Sequence, residues 1–463
     1  MTKIEAFFED MKHKQVVFIG AGVSHRELIL LFRRKGIPVT LCDKREASQL
    51  GDAYEQLKQA GVSFCLGEGY EEGILKGDVI FRTPGMYYYS PVLTKARELQ
   101  KVVTSEMEVF FDLCPCKIYA VTGSDGKTTT TTLISELLKA EGKTVYLGGN
   151  IGKALLPLVE EIRENDAAVV ELSSFQLISM RRSPDVAVIT NVAPNHLDVH
   201  KNMQEYIDAK RNLILHQNAF SKTVLNADNE VTRGMEPDVR GALSWFSRKT
   251  LPQNGAFLAE DGNLCLAHNG QVTTLLHKDR IRIPGIHNVE NYLAAIAATA
   301  GEVSPQTIVQ VAEQFGGVEH RIEFVRTLDG VRYYNDSIAT SPTRTIAGLN
   351  SFDQKLIVLA GGYDKKIPFE PLAPELVRHA KVLILMGVTA QKIKQAVTSC
   401  EGYDAAQLPI LEVSSMEEAV QTARKIAQSG DVVTLSPACA SFDMYPNFEA
   451  RGRHYKALVN ALV

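Results

Sequence analysis

The chain has 463 residues, 45% of them hydrophobic and 22% charged, a balance that excludes long disordered stretches and suits about three globular domains. Fifty basic against 54 acidic side chains leave a net charge of −4, so no surplus points to nucleic acid or an anionic membrane as a partner. The apolar runs are strand-length, well short of the roughly 18–20 residues of a membrane span.

No apolar leader follows Met1-Thr2-Lys3, so a secretory signal is not expected. The seven cysteines are scattered, with one Cys114-Pro115-Cys116 pair lacking a partner pair at metal spacing; they read as reduced cytosolic thiols packed as small hydrophobes.

In chain order, Gln15–Ile19 predicts a strand, Gly20-Ala21-Gly22 a turn, and a helix runs to Gly36. A second strand, Val39–Cys42, ends in Asp43. This turn opens like a dinucleotide fingerprint, with Asp43 placed for a ribose, but His25 stands where the third glycine belongs. NAD, another nucleotide or a plain Rossmann-like turn all fit. A second glycine turn, Thr83-Pro84-Gly85, follows the strand Val79–Phe81, and the two turns together could clasp a nucleotide diphosphate.

Lys117–Val121 predicts another strand. It runs into Thr122-Gly123-Ser124-Asp125-Gly126-Lys127-Thr128-Thr129 and then a helix. Glycines let backbone N–H groups converge on phosphate oxygens, the helix N-terminus adds partial positive charge, Lys127 a full one, and Thr128 a hydroxyl for Mg²⁺. Val121 occupies the first glycine position of the strict P-loop pattern. The β-branched run Thr128–Thr132 suits a helix start poorly, and hydroxyls near a metal–phosphate cluster give it a reason.

Further strands are expected at Ala168–Leu172, Val186–Thr190, Leu356–Ala360, Val382–Leu385 and Val432–Leu435. Apolar strands alternating with helices argue for three tandem α/β units with parallel or mostly parallel sheets. Boundaries are expected near residues 105–115 and 316–320, with Gly316-Gly317 a hinge. Glu171, at the end of a buried strand, is placed to hold Mg²⁺ opposite the phosphate loop, or is an edge glutamate. In the polar loop Asn191–His200, His196 is a metal ligand, a phosphate contact or a surface residue; His200 and Lys201 read as surface residues.

These residues resemble the Mur ligases of peptidoglycan synthesis. The likeness covers essentially the whole chain. It rests on the phosphate loop, Gly148–Gly152, Glu171–Gln176, Asn191–Asp198, Gly285–Asn291, His320–Glu323, Asn335–Thr340, Gly361–Lys365 and Ser436–Asp443. Several of these motifs are shared with folylpolyglutamate synthases. The last, continued through Asn447–Gly452, looks specific to the branch that adds D-glutamate. The resemblance implies a cytoplasmic, monomeric, ATP-dependent ligase. Its substrate carboxylate becomes an acyl phosphate that the amine of D-glutamate attacks, and UDP-N-acetylmuramoyl-L-alanine is the other partner.

It further implies three domains: 1–108 binding the UDP-substrate and Rossmann-like, 109–317 a P-loop ATP-binding domain, and 318–463 a Rossmann-like domain for the amino acid. Ser124, Asp125, Gly126, Lys127, Thr128, Thr129 and Thr130 are implied for the ATP phosphates, Asn288 and Asn291 for adenine, and Arg321 and Asp336 for γ-phosphate and ribose on domain closure. Thr128 and Glu171 are implied for one Mg²⁺ and His196 for a second, with Lys210 carbamylated beside it. From its own surroundings in sequence Lys210 reads as a solvated helix lysine. Asp43, Lys44, Arg45, Thr83, Pro84 and Gly85 are implied for UDP, Asn150 for the sugar, and Thr340, Lys365, Ser441 and Phe448 for the D-glutamate carboxylates.

Two positions depart from the family pattern. Asp125 stands where many members have Asn, and Ile338 where the commonest pattern has Lys. A sibling amide ligase is the nearest alternative, against which Ser436–Gly452 argues. A Rossmann dehydrogenase explains Gly20–Gly22 and Asp43 but leaves Lys127, Glu171 and the third unit idle, and a regulatory P-loop module is the remaining reading.

Overall fold

The computed structural model describes residues 1–194 and 199–463. Three sheets carry the fold. The first is five-stranded and wholly parallel, in the order Ser63–Leu66, Val39–Asp43, Val16–Ile19, Val79–Phe81, Val102–Thr104. Its central strand shows why such a run is apolar throughout. Val16 and Phe18 pack with Phe32 and Phe81 on one face, while Val17 and Ile19 pack with Ile80 and Leu93 on the other.

The second sheet has nine strands. Its parallel part runs Gly255–Leu258, Ala242–Ser247, Lys222–Asn226, Val186–Ile189, Lys117–Thr122, Ala167–Glu171, Val145–Gly149. At one edge Asn263–His268 and Gln271–His277 add antiparallel strands. These edge strands escape the sequence reading because they are polar and partly exposed: Gln271–Thr274 face solvent.

The third sheet runs Glu323–Leu328, Val331–Asn335, Val432–Leu435, Leu356–Ala360, Ala380–Leu385, Ile410–Glu412, parallel except for the first hairpin. Leu356, Val358 and Ala360 bury on one face, Ile357 and Leu359 on the other. The α/β, mostly parallel reading therefore holds, with antiparallel edges added.

Residues 1–278 with 290–311 form one compact unit holding the first two sheets; residues 279–289 with 312–463 form another holding the third. Within the former, Arg82 ties the sheets together. Its guanidinium is 1% exposed and donates to Phe175 O (2.6 Å), Ser179 Oγ (2.8 Å) and Met86 O (3.4 Å). Tyr87 Oη donates to Glu205 Oε2 at 2.6 Å. No helix of the described residues is long and apolar enough to cross a membrane.

Candidate functional site

Strand Lys117–Thr122 lies between Val186–Ile189 and Ala167–Glu171 in the second sheet and delivers the glycine loop to its C-terminal edge. Two glycines make the turn possible. Gly123 has φ +154° and Gly126 φ +77°, and a Cβ on Gly126 would lie 2.4 Å from Asn291 Oδ1. Helix Lys127–Ala140 starts at once, so the N–H groups of its first turn have no carbonyl one turn earlier to bond.

Asn191 braces the loop from the adjoining strand end. Its carbonyl accepts from Ser124 N (2.9 Å), its Oδ1 from Asp125 N (3.0 Å), and its Nδ2 donates to Asp125 O (3.2 Å). Ser124 Oγ donates to Ala193 O at 2.9 Å and lies 3.0 Å from Tyr206 Oη. Lys127 folds back over the loop, its Nζ donating to Gly123 O (3.0 Å) and Ser124 O (2.8 Å).

The threonine run divides. Thr131 and Thr132 donate to the carbonyls of Lys127 and Thr128, four residues earlier, and Thr130 donates to Asn291 Oδ1 at 3.2 Å. Those hydroxyls serve the helix and its neighbour, so a metal–phosphate cluster does not account for the whole run. Asn291 thus sits against the loop, whereas Asn288 Nδ2 caps Pro284 O at 2.5 Å.

Across the sheet edge from the loop stands Glu171, the last residue of its strand and 1% exposed. Its Oε1 accepts from Asn150 Nδ2 at 2.7 Å, and its Oε2 is buried with no hydrogen-bond partner. A buried carboxylate oxygen without a donor carries a cost that a cation would relieve.

Lys210, on helix Met203–Leu215, is 1% exposed rather than solvated, which corrects the reading from its sequence surroundings. Its Nζ donates to Gly123 O (2.8 Å) and Thr122 Oγ1 (3.4 Å) and lies over the Tyr206 ring. Burial first, then the charge of Lys127, pulls its pKa down to about 7 against the opposing pull of Asp125 and Glu171. His196 lies outside the described residues. His200 is buried, not surface, between Ser174 Oγ (2.9 Å) and Glu205 Oε1 (3.2 Å) and stacked on Phe175.

On the first sheet the two glycine turns meet: a Cβ on Gly20 would lie 3.6 Å from Thr83 Cγ2. Asp43 closes the turn, accepting from Ala21 N (2.9 Å) and from Arg45 N, Nε and Nη2 (3.0, 3.0 and 2.7 Å). Burial opposes its charge, but these donors outweigh it and hold the carboxyl below its usual range. His25, in the third glycine position, is buried with Nδ1 3.1 Å from both Ile19 O and Gly20 O, so it fills the turn from inside. Lys44, Pro84 and Gly85 are exposed around it.

In the unit holding the third sheet, Lys365 Nζ donates to Thr340 Oγ1 at 3.2 Å, bringing two expected substrate residues together. Ser441 is buried; Phe448 is half-buried and its carbonyl accepts from Ser337 Oγ at 2.8 Å. Asp336 is buried and accepts from Ser436 Oγ (2.9 Å) and Ile322 N (3.3 Å); burial raises its pKa to about 7. Arg321 is exposed on the turn after Gly317, and its charge opposes that rise. Ile338 is half-buried, and its carbonyl accepts from Arg344 Nη1 at 3.2 Å.

Two residues of the Asn447–Gly452 stretch, which the sequence singles out without giving them a role, organise this end of the unit. Arg451 is 1% exposed and donates to Ser337 Oγ (3.0 Å), Ser337 O (2.9 Å), Cys439 O (3.0 Å) and Ala440 O (3.1 Å), fastening the two loops that carry Thr340 and Ser441. Gly452 lets the same helix close on His320, since a Cβ there would lie 2.2 Å from His320 Nδ1. Tyr206, against Ser124, gave no local signal at all.

Residues 121–299 match the Mur ligase middle domain and residues 320–439 the Mur ligase, glutamate ligase domain. The chain is 50% identical over 465 residues to the UDP-N-acetylmuramoylalanine–D-glutamate ligase of Acetivibrio thermocellus, covering 100% of this chain and 99% of that one. It is 48% identical over 458 residues to the protein of the same name from Clostridium acetobutylicum, covering 98% of each. Among solved structures, the UDP-N-acetylmuramate-alanine ligase of Thermotoga maritima shares the fold with a TM-score of 0.57 at 19% identity, over 97% of this chain and 100% of that one. The chain belongs to the Mur ligase family.

Proposed function

We propose that this protein is an ATP-dependent ligase that joins D-glutamate to UDP-N-acetylmuramoyl-L-alanine in peptidoglycan precursor synthesis, working as a cytoplasmic monomer. The observation that carries the reading is the grouping of the Lys127 loop, buried Glu171 and buried Lys210 at one sheet edge, in a chain half identical to ligases of that name along its whole length.

ATP supplies the phosphoryl group that turns the substrate carboxylate into an acyl phosphate open to attack by the amine of D-glutamate. The residues have to manage anion meeting anion by positioning and charge. Lys127 and the N–H groups of the loop from Ser124 to Thr130 hold the phosphates, and Asn291 and Asn288 flank the base. Arg321 and Asp336 belong to the nucleotide in the same reading.

Magnesium fits the donors present: the unpartnered Glu171 Oε2 and the Thr128 hydroxyl are hard oxygen ligands, and Lys210 as a carbamate would add another. An amine whose pKa is about 7 is substantially neutral near neutral pH, the form that reacts with carbon dioxide. His196 is assigned to the second ion. The segments 1–108, 109–317 and 318–463 take UDP-substrate, ATP and amino acid in turn. Asp43, Lys44, Arg45, Thr83, Pro84 and Gly85 hold UDP and Asn150 the sugar. Thr340, Lys365, Ser441 and Phe448 hold D-glutamate.

The test is phosphate release from ATP with UDP-N-acetylmuramoyl-L-alanine and a panel of D-glutamate, L-glutamate, L-alanine and D-aspartate. Turnover with D-glutamate alone is expected. Turnover with another acceptor and none with D-glutamate would move the protein to a sibling ligase.

A further inference from the structure

We propose that Cys114 and Cys116 form a redox-active dithiol, a modification site at which the protein closes an intrachain disulfide with a soluble disulfide as oxidant. The inference stands apart from the ligase reading. Helix Glu106–Leu113 ends at Cys114, Pro115 forces the chain extended, and Cys116 leads into the strand that carries the phosphate loop. That tight reversal puts the two sulfurs 3.5 Å apart. A disulfide needs about 2.0 Å between sulfurs, so closure asks for an approach of about 1.5 Å.

The two thiols differ in the way a redox pair requires. Cys114 is half-buried and reachable, whereas Cys116 is 5% exposed. The contact between the two sulfurs lowers the Cys114 pKa and raises that of Cys116, and Cys114 Sγ also lies 3.7 Å from the Cys116 carbonyl. Cys114, the more exposed of the two, is the attacking sulfur and buried Cys116 the resolving one. Cys42, by contrast, is fully buried, and burial pushes its thiol up to about 12. A metal offers no rival use for the pair, since among the described residues no group of three or more His, Cys, Asp or Glu side chains is placed to hold one.

The chemistry balances. The Cys114 thiolate attacks one sulfur of oxidised glutathione and forms a mixed disulfide, and the departing glutathione thiolate takes up the proton Cys114 gave to solvent. Cys116 then loses its proton and displaces the second glutathione, which is protonated in turn. The protein loses two electrons and two protons, and the soluble disulfide becomes two thiols.

The experiment equilibrates the full chain across a series of reduced-to-oxidised glutathione ratios, quenches with acid, denatures, alkylates free thiols and digests with trypsin. The peptide Val102–Lys117 holds both cysteines and no other. It is expected to appear increasingly in an unalkylated form lighter by two hydrogens, while Gly36–Lys44, carrying Cys42, stays alkylated. Cys116→Ser is expected to trap glutathione on Cys114, and Cys114→Ser to leave Cys116 unmodified in the folded protein. Val102–Lys117 alkylated at both positions, under a ratio that fully oxidises free dithiothreitol, would overturn the proposal. So would stable glutathionylation of the wild-type pair without ring closure. Neither result bears on whether the chain ligates D-glutamate.

Discussion

Lys210 donates from a buried helix face to the carbonyl of Gly123, 2.8 Å away, inside the turn that shapes the phosphate loop. An ammonium there is held by one backbone oxygen and one hydroxyl, with Lys127 nearby as a like charge. Its pKa falls from 10.5 to about 7, so the unfolded chain binds this proton at pH values where the folded chain does not. The resulting stability is fully present above the unfolded value and is lost as pH falls toward about 7. Lys210→Met is therefore expected to raise the thermal midpoint of the ligand-free protein at pH 7 and to have little effect near pH 10.5. The same variant should lose ligase activity, and Lys210→Ala should regain part of it with added acetate or formate. An active enzyme whose Lys210 remains a free amine by mass spectrometry and by ¹³C-bicarbonate labelling would refute the carbamate.

Lys127 packs over its own loop carbonyls and contributes little to any core, being half-buried at the loop edge. Lys127→Ala should leave the unfolding transition within about 0.5 kcal/mol of wild type. Phosphate release should fall by about 10²–10³-fold or more, the scale of removing one charged stabiliser of a transition state. A folded variant with near-normal turnover would detach Lys127 from the chemistry.

Glu171 offers one oxygen to Asn150 and leaves the other unpartnered. If that oxygen is a metal ligand, Glu171→Gln removes its charge while keeping its shape. The Mg²⁺ needed for half-maximal rate should rise by about 10–100-fold, and Mn²⁺ binding followed by electron paramagnetic resonance should weaken in parallel. An unchanged Mn²⁺ affinity would show that the oxygen serves another purpose.

How much of this was legible in the sequence depends on range. Strands such as Val16–Ile19 and Leu356–Ala360 announce themselves because both faces are buried and every residue is apolar. The phosphate loop is equally local, its glycines and lysine lying within five residues. Lys210 and His200 read as solvated in sequence because burial is a property of what packs on them, in these cases the loop residue Gly123, 87 residues earlier, and Ser174 and Phe175. Arg451 lies in the Asn447–Gly452 motif, but its role was not legible for a related reason. Three of its four partners are backbone carbonyls, of Ser337, Cys439 and Ala440, and a carbonyl carries no side-chain signature.

Arg451 also makes a prediction of its own. Its planar fork reaches two loops at once, which a lysine with a single nitrogen cannot do. Arg451→Lys should lower the resistance of the third-sheet unit to urea by about 3 kcal/mol, because buried carbonyls are left without donors. It should also raise the KM for D-glutamate through Thr340 and Ser441. A variant that unfolds like wild type and keeps its KM would show that the loops hold themselves.

The acceptor site raises a charge question, since D-glutamate brings two carboxylates and Ile338 removes the cation the family pattern favours. Lys365 is exposed, and its Nζ sits 3.2 Å from Thr340 Oγ1, poised to bind one carboxylate. Losing a hydrogen bond to a charged group costs about 1.5–3 kcal/mol. Lys365→Ala should thus raise the KM for D-glutamate by about 10–100-fold, with the KM for ATP nearly unchanged. Arg344, which donates to the Ile338 carbonyl at 3.2 Å, supplies positive charge on the same segment. Ile338→Lys is accordingly expected to lower the D-glutamate KM modestly or leave it unchanged, and to help more when Arg344→Ala is present, because the two cations would then substitute for one another. Equal effects of Lys365→Ala on D-glutamate and ATP would place Lys365 away from the amino acid. A loss of D-glutamate affinity on adding Ile338→Lys would mean that no carboxylate approaches that position.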